Sequence, residues 1–383
     1  MSIFRLKGRI DSNNAAEIEK EIRAFLPEGF QGELTMDASD LSYVSSAGLR
    51  VFLRLKKEIG QIRIIHVNRD VYEILEMTGM NQIIETEKSL RQMEIDGCPE
   101  IGRGAHGIVY RIAPDTIVKV YHPGEKIERI RKERELARWA FVKGIPTAIP
   151  YDIVRIGDQY GTVFELLNAR SASEYVQEST KQMDAFISDS VHLLKQIHAI
   201  QADPGELPDM KEQMLTWLGS SRDFPEIREG LTDEAFDQLE QMIRETPDSR
   251  MLLHADFHLK NILVCEDELM LIDMDTLCTG DPIFDLATIY NSYREFPSID
   301  AGAAAFLGID VETAYRICDQ TMEQYLSDMD PAGRAEGIKK AQLFGCVRIV
   351  AYMNRHDDLT MKEQVVRRCI EDINTILFQK RMK

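Results

Sequence analysis

Gly102, Gly104 and Gly107 spell G-x-G-x-x-G, and the residues that follow, IVYRI, restrict the fold more than any other feature of the chain. In a dinucleotide-binding fold such a loop opens a helix that receives the pyrophosphate, with an acidic residue about twenty positions on. Here the alternating β-branched and aromatic residues continue as strand, so the Rossmann reading fails on local context. A glycine loop between two strands can instead fold over a nucleotide, because missing side chains let backbone N–H groups approach the phosphates. As a bare pattern it equally fits an ordinary glycine turn.

Twelve residues past Gly107, Lys119 stands in IVKV on the next strand, in reach of nucleotide phosphates. Flanked by Val118 and Val120, it can face either side of a sheet, and a solvated lysine is the competing reading. The helix KIERIRKERELARWAFV offers Glu133 and Glu135 as partners for that lysine, with Glu133 favoured. A charge run such as RKERE also fits a wet helix face.

The octapeptide HADFHLKN, residues 254 to 261, admits three chemistries. His254, Asp256 and His258 could offer zinc ligands from a strand face, but no further ligand group stands nearby at zinc spacing. A serine hydrolase would need G-x-S-x-G, which the chain lacks. Phosphoryl transfer needs a carboxylate to orient the attacking hydroxyl and oxygen ligands for magnesium. Asp256 fits the first role, and Asn261 and the Asp273 of LMLIDMDT fit the second, with Asp273 expected on the neighbouring strand and Asp275 a weaker alternative on the same face. Each residue alone fits a loop or turn acid, but the joint order of glycine loop, lysine, helix glutamate, D-x-x-x-x-N and apolar-D is hard to obtain by chance.

Periodicity divides the chain. Residues 1 to 87 alternate strand and helix: AAEIEKEIRAFL puts Ile18, Ile22, Phe25 and Leu26 on one helical face, and SSAGLRVFLRLKKEIG does so with Leu49, Phe52, Leu53 and Leu55. This is a small α/β domain. A charged linker is placed at 88–98, and a strand-rich front, 99–167, then precedes a helical back, 168–383. No apolar run approaches the ~18 residues of a membrane span, and the N-terminus has no signal-peptide layout. The six cysteines form no zinc-like grouping and are read as reduced thiols. A net charge of -18 would repel nucleic-acid phosphates and anionic membranes. The expectation is a cytoplasmic protein that binds neither.

From residue 99 onward, the motifs IGRGAHGIVY, IVKVY, LLHADFHLKNILV and LIDMDTLCTGDPIFDLA resemble the aminoglycoside phosphotransferase and choline kinase branch of the protein-kinase-like fold. The resemblance implies an α+β bilobal domain with N-lobe 99–167 and C-lobe 168–383. It implies ATP and Mg2+ as cofactors, Asp256 as catalytic base, Asn261 and Asp273 as metal ligands, and Lys119 on the ATP phosphates. The hinge Phe164-Glu165-Leu166-Leu167 would offer backbone hydrogen bonds to adenine, with Glu165 and Leu167 the contacts. The chain departs from the family at Leu259, Lys260 and Met274. His254 and His258 are read as loop supports, and Asp281 and Asp285 as capping or bracing residues.

In DLSYVSSAGLRVFL, Ser45 and Ser46 precede an amphipathic helix, where a serine hydroxyl ordinarily caps. This motif and the βαβ order resemble the STAS domain of anti-sigma factor antagonists over residues 1 to 87. Aligned on Gly48-Leu49, that family's phosphorylated serine falls on Ser46, with Ser45 in place of an aspartate and Ala47 in place of a hydroxyl residue.

The expected protein is therefore an ATP- and Mg2+-dependent kinase acting on a hydroxyl acceptor, a small molecule or a protein serine such as Ser46, and carrying a STAS module that meets a protein partner. A non-catalytic nucleotide-binding switch, or an anti-sigma factor antagonist, is the alternative. Residues 169 to 250 and the C-terminal helices are expected to shape the acceptor pocket.

Overall fold

The computed structural model describes residues 3–27, 29–30, 32–104, 106–266, 268–355 and 362–378. Contacts divide the chain into two compact units, Met1–Asp96 with Ile153–Gly161, and Gly97–Asp152 with Thr162–Lys383. Among the described residues no helix is long and apolar enough to cross a membrane.

The N-terminal unit runs β1 (Ile3–Ile10), α1 (Ala15–Phe25), β2 (Glu33–Val44), α2 (Ser46–Ile59), β3 (Gln61–Val67), α3 (Arg69–Met77) and β4 (Glu85–Lys88). Its sheet has the order β1-β2-β3-β4, and each neighbouring pair is parallel. Parallel pairing demands a crossover between strands, which α1, α2 and α3 supply. Leu6, Ile10, Met36, Phe52, Leu55 and Ile64 are fully buried beneath the helices. The α1 face is narrower than its periodicity predicts: Ile22 is buried, but Phe25 is 39% exposed at the last turn. There its ring meets Phe4 edge-on, with centroids 5.4 Å apart.

The start of α2 separates the two serines. Ser45 has extended backbone (φ -91, ψ 175), and its Oγ accepts from Ala47 N at 3.2 Å. Ser46 is the first helical residue and is exposed. Gly48 is required here, since a Cβ would lie 2.7 Å from side-chain carbons of Ile10 and Val44.

The short strand β5 (Arg91–Gln92) pairs in parallel with residues 154 and 155 of β9 (Pro150–Ile156). Next along the chain, β6 (Glu100–Gly104), β7 (Gly107–Ala113) and β8 (Thr116–Tyr121) form an antiparallel meander, followed by α4 (Ile127–Val142), β9 and β10 (Gln159–Glu165). These strands lie in the order β9-β10-β8-β7-β6.

The remainder is mostly helical. It runs β11 (Arg170–Ser171), α5 (Ala172–Glu178), α6 (Thr180–Ala199), α7 (Met210–Ser221), α8 (Pro225–Gly230), α9 (Asp233–Glu245), β12 (Leu252–Leu253), β13 (Ile262–Cys265), β14 (Glu268–Leu271) and β15 (Cys278–Thr279). Helices α10 (Ile283–Tyr290), α11 (Phe296–Ile299), α12 (Ala301–Phe306), α13 (Val311–Tyr325), α14 (Pro331–Arg355) and α15 (Lys362–Phe378) complete it, with a π-helical turn at Asn291–Glu295. Two apolar clusters grip the octapeptide: Phe257 and Leu259 pack with Ile262, Leu271 and Leu286, while Leu253 and Ala255 pack with Phe284 and Phe344.

If Ser45 alone caps α2, Ser45→Ala should cost about 1 kcal/mol of local stability and speed hydrogen exchange at the Ala47 amide. Ser46→Ala should leave that exchange rate unchanged.

Candidate active site

The glycine loop joins two antiparallel strands, with Gly104 opposite Gly107. The glycines are not equivalent. A Cβ on Gly107 would stand 2.2 Å from the Val120 carbonyl oxygen, so packing against β8 forbids any side chain. Gly104 has nothing within 4 Å, and Gly102 meets only ordinary contacts with Val109. Their lack of side chains serves no packing need in the chain and leaves the loop's outer backbone open. Ala105, within the same motif, lies outside the described residues.

Lys119 lies opposite Val109 on β8 and reaches α4. Its Nζ donates to Glu133 Oε1 at 2.7 Å and stands 3.8 Å from Asp273 Oδ1. Glu133 is 4% exposed, whereas Glu135, two residues on, is exposed. Burial works against the ammonium charge, but the Asp273 and Glu133 carboxylates outweigh it and raise the Lys119 pKa. In the hinge, Glu165 N–H donates to Ile149 C=O at 3.0 Å and Leu166 N–H to Asp115 C=O at 2.8 Å. Among the described residues no hydrogen bond uses Leu167 N–H, so Leu167 presents the hinge's available donor.

The octapeptide is a braced loop. Asp285, fully buried on α10, accepts from His254 N at 2.9 Å and Ala255 N at 2.6 Å, and pairs with His198 Nε2 at 3.0 Å. These bonds hold Ala255 at φ 61, a left-handed conformation that costs a non-glycine residue. His254 Nδ1 accepts from Asp256 N at 3.2 Å, Thr276 Oγ1 donates to His254 C=O at 2.7 Å, and Tyr293 Oη accepts from Leu259 N at 2.8 Å. Asp281 accepts from Ile283 N at 2.9 Å at the start of α10.

Asp256 emerges from this loop with its side chain 37% exposed. Its Oδ2 accepts from Asn261 Nδ2 at 2.8 Å and lies 3.4 Å from His258 Nε2. Burial pushes its pKa up, but the His258 bond and the charges of His258, Arg348 and His254 overcome this and bring it to about 2. Asp256 is thus a carboxylate at neutral pH and a weak proton acceptor in the resting protein. Both Asn261 hydrogen bonds, to Asp256 O at 3.0 Å and to Oδ2, run through Nδ2, which leaves the amide oxygen to face a cation.

Asp273 does not lie on a strand as the sequence pattern suggests. Strand β14 ends at Leu271, and Asp273 follows at φ 66. Ile272 N donates to Asn261 C=O at 2.9 Å and sets this turn beside the asparagine. Asp273 Oδ1 is buried and accepts no hydrogen bond. An orphaned carboxylate oxygen beside an amide oxygen suits a hard, oxygen-seeking cation such as Mg2+. Asp275 is a neighbour rather than an equivalent: its Oδ2 is 3.5 Å from Arg129 Nη2. Burial and the Asp273 and Glu133 charges push its pKa up to about 6.

Two contributors escape sequence reasoning. Arg348 on α14 donates through Nη2 to Ala255 C=O and lowers the Asp256 pKa. Arg129 on α4 reaches Asp275 from 146 residues away. Both are ordinary helix cations in the sequence, with no motif around them.

Against this geometry, residues 97–318 match the family model described as the phosphotransferase enzyme family, and residues 1–93 match the STAS domain model. The second unit is a kinase-type phosphotransferase domain behind an N-terminal STAS domain. The chain belongs to the phosphotransferase enzyme family. Over 93 residues it is 32% identical to BtrV of Bordetella bronchiseptica, whose name describes it provisionally as an anti-sigma factor antagonist; the match covers 23% of this chain and 79% of that protein. The fold is similar to the streptomycin-ATP-APH(2")-IIa ternary complex, at 19% identity and TM-score 0.51, covering 80% of this chain and 98% of that one. It is also similar to the amicoumacin kinase hAmiN in complex with AMP-PNP, Ca2+ and Ami, at 17% identity and TM-score 0.51, covering 81% and 94%.

The packing at Gly107 predicts that Gly107→Ala destabilises the kinase domain by about 1–3 kcal/mol, while Gly104→Ala leaves the thermal midpoint unchanged. Thermal unfolding of the two variants checks this. In the His258→Ala variant, carboxyl NMR titration should find the Asp256 pKa raised, because the bond that holds it near 2 is gone.

Proposed function

We propose that the chain transfers the γ-phosphoryl group of ATP, with Mg2+, to a hydroxyl acceptor, and that its domains divide as 1–87, a linker at 88–98, and 99–383. The observation that carries this reading is the buried Asp273 Oδ1, which accepts no hydrogen bond and stands 3.8 Å from Lys119 Nζ. It puts a cation seat and a fixed positive charge side by side, as phosphoryl transfer requires. The nucleotide complexes of the structural neighbours, with ATP and with AMP-PNP and Ca2+, support it.

In this reading the open backbone at Gly102 and Gly104 covers the phosphates, and Gly107 keeps β7 tight against β8. Lys119, aimed by Glu133, stabilises phosphate charge, and Leu167 N–H receives adenine. Asn261 and Asp273 would hold Mg2+, which supplies charge neutralisation on the phosphates when bound. Asp256 orients the acceptor hydroxyl. With a pKa near 2 it takes the proton late, once bonding to phosphorus has acidified that hydroxyl. Asn261 Nδ2 fixes the Asp256 carboxylate for this task. The acceptor is chosen by the pocket rather than the fold.

The STAS domain supplies a second element of the proposal. Ser46 is exposed and free of the capping duty that Ser45 performs, so its hydroxyl is available as a phosphoacceptor. A phosphate there would add about two negative charges at a helix N-terminus, which the helix dipole tolerates while a partner's contact surface changes. The BtrV likeness supports a protein partner for this surface.

Asp256→Asn should lower ATP-dependent phosphoryl transfer by about 10²–10⁴-fold, measured as acceptor-stimulated ADP release, and Glu133→Gln should reduce it where Glu135→Gln does not. Equal turnover in Asp256→Asn and the parent chain contradicts the assignment. Mass spectrometry after incubation with MgATP should find phosphate on Ser46; an unmodified Ser46, in cis and in trans, removes the phosphoacceptor role.

A further inference from the structure

Glu295, Cys346 and Cys369 take no part in the site above. One ligand atom from each, two sulfurs and a carboxylate oxygen, lies within 4.8 Å of the others. All three residues are buried: the cysteines are 0% exposed and Glu295 3%. They come from three elements, the π-helical turn, α14 and α15. A π-helical insertion turns side chains out of α-helical register and recurs at functional sites. Helix α14 meets this turn closely, since a Cβ on Gly345 would stand 2.2 Å from Asn291 Oδ1, and Asn291 Nδ2 donates to Gly345 C=O at 3.1 Å.

The cluster is short of positive charge. Glu295 Oε1 is buried and accepts no hydrogen bond, a costly state for a carboxylate. Asp372, which faces Glu295, is paired with Arg368 Nε at 3.1 Å. The Cys346 and Cys369 thiols lie against one another. A surface depression is lined by Ser298, Gln364 and Arg368, the arginine paired with Asp372.

We propose that Cys346, Cys369 and Glu295 form a zinc site, with Asp372 or a water as the fourth ligand. Two thiolates exclude magnesium and calcium and suit a borderline-soft ion, and zinc accepts sulfur and oxygen together in a tetrahedral shell. Ligand atoms about 2.0–2.3 Å from one metal stand roughly 3.5 Å apart, so the observed spread closes with small side-chain movements. The ion would tie α15 to α14 and to the π-helical turn. Its binding energy would then appear as folding stability. The cysteines stand far apart in sequence and form no short ligand pair, which is why spacing alone reads them as plain reduced thiols.

The test uses the full chain, purified, stripped with a chelator and titrated with Zn2+ and separately with Co2+. The site predicts one ion per chain, a thiolate-to-cobalt charge-transfer band in the near ultraviolet, and a thermal midpoint several degrees higher with zinc. Cys369→Ser should lose the band, while Cys318→Ser, a buried cysteine outside the cluster, should keep it. Glu295→Gln, which retains both thiols, should weaken zinc binding at least tenfold and guards against misfolding of the cysteine variant. Absence of bound metal in the folded parent chain, or a cobalt band that survives in Cys369→Ser, overturns the proposal.

Discussion

A single buried carboxylate, Asp285, holds the octapeptide loop 254–261 in place. It accepts two consecutive backbone N–H groups, from His254 and Ala255, and a third bond from His198, whose Nδ1 contacts Tyr325 Oη at 2.7 Å. Burial alone would drive its pKa up, yet the His198 bond and the nearby histidines keep it lowered and ionised. A buried charge is tolerated only when its lone pairs are so fully used. In return it fixes Ala255 at positive φ, and that bend carries Asp256 out of the apolar core toward Asn261.

The opposite wall is set by charge balance. Lys119 faces Glu133 and Asp273, with Asp275 close enough to raise their mutual repulsion and its own pKa to about 6. The Lys119 ammonium and the Arg129 guanidinium against three carboxylates leave an anionic basin, and Asp273 Oδ1, which accepts no hydrogen bond, is its least satisfied point. A divalent cation in that basin would relieve the repulsion and strengthen as solvent is excluded. The same physics recurs in miniature at Glu295, where a carboxylate oxygen is again left unpaired, this time beside two thiols in place of an amide oxygen.

Much of this was legible because local chemistry dictates it. The glycine loop ahead of a strand, the spacing of Asp256 and Asn261, and the capping position of the STAS helix each follow from a few adjacent residues. Non-local facts were not legible. Only burial separates Glu133 from Glu135, since both stand on one turn of a charged helix. The loop's dependence on Arg348 crosses 93 residues. Asp273 reads as a strand residue in LMLIDMDT, but tertiary bonds from Ile272 end β14 early and turn the backbone left-handed. Phe25 obeys the helical period and still reaches solvent, because α1 ends there.

The central claim is that Asp273 seats a divalent cation through Oδ1, the oxygen that accepts no hydrogen bond. The direct measurement is ATP affinity with and without Mg2+, in the parent chain and in Asp273→Asn. Mg2+ should tighten ATP binding in the parent chain and have little effect in the variant. An unchanged magnesium dependence in Asp273→Asn would contradict the account.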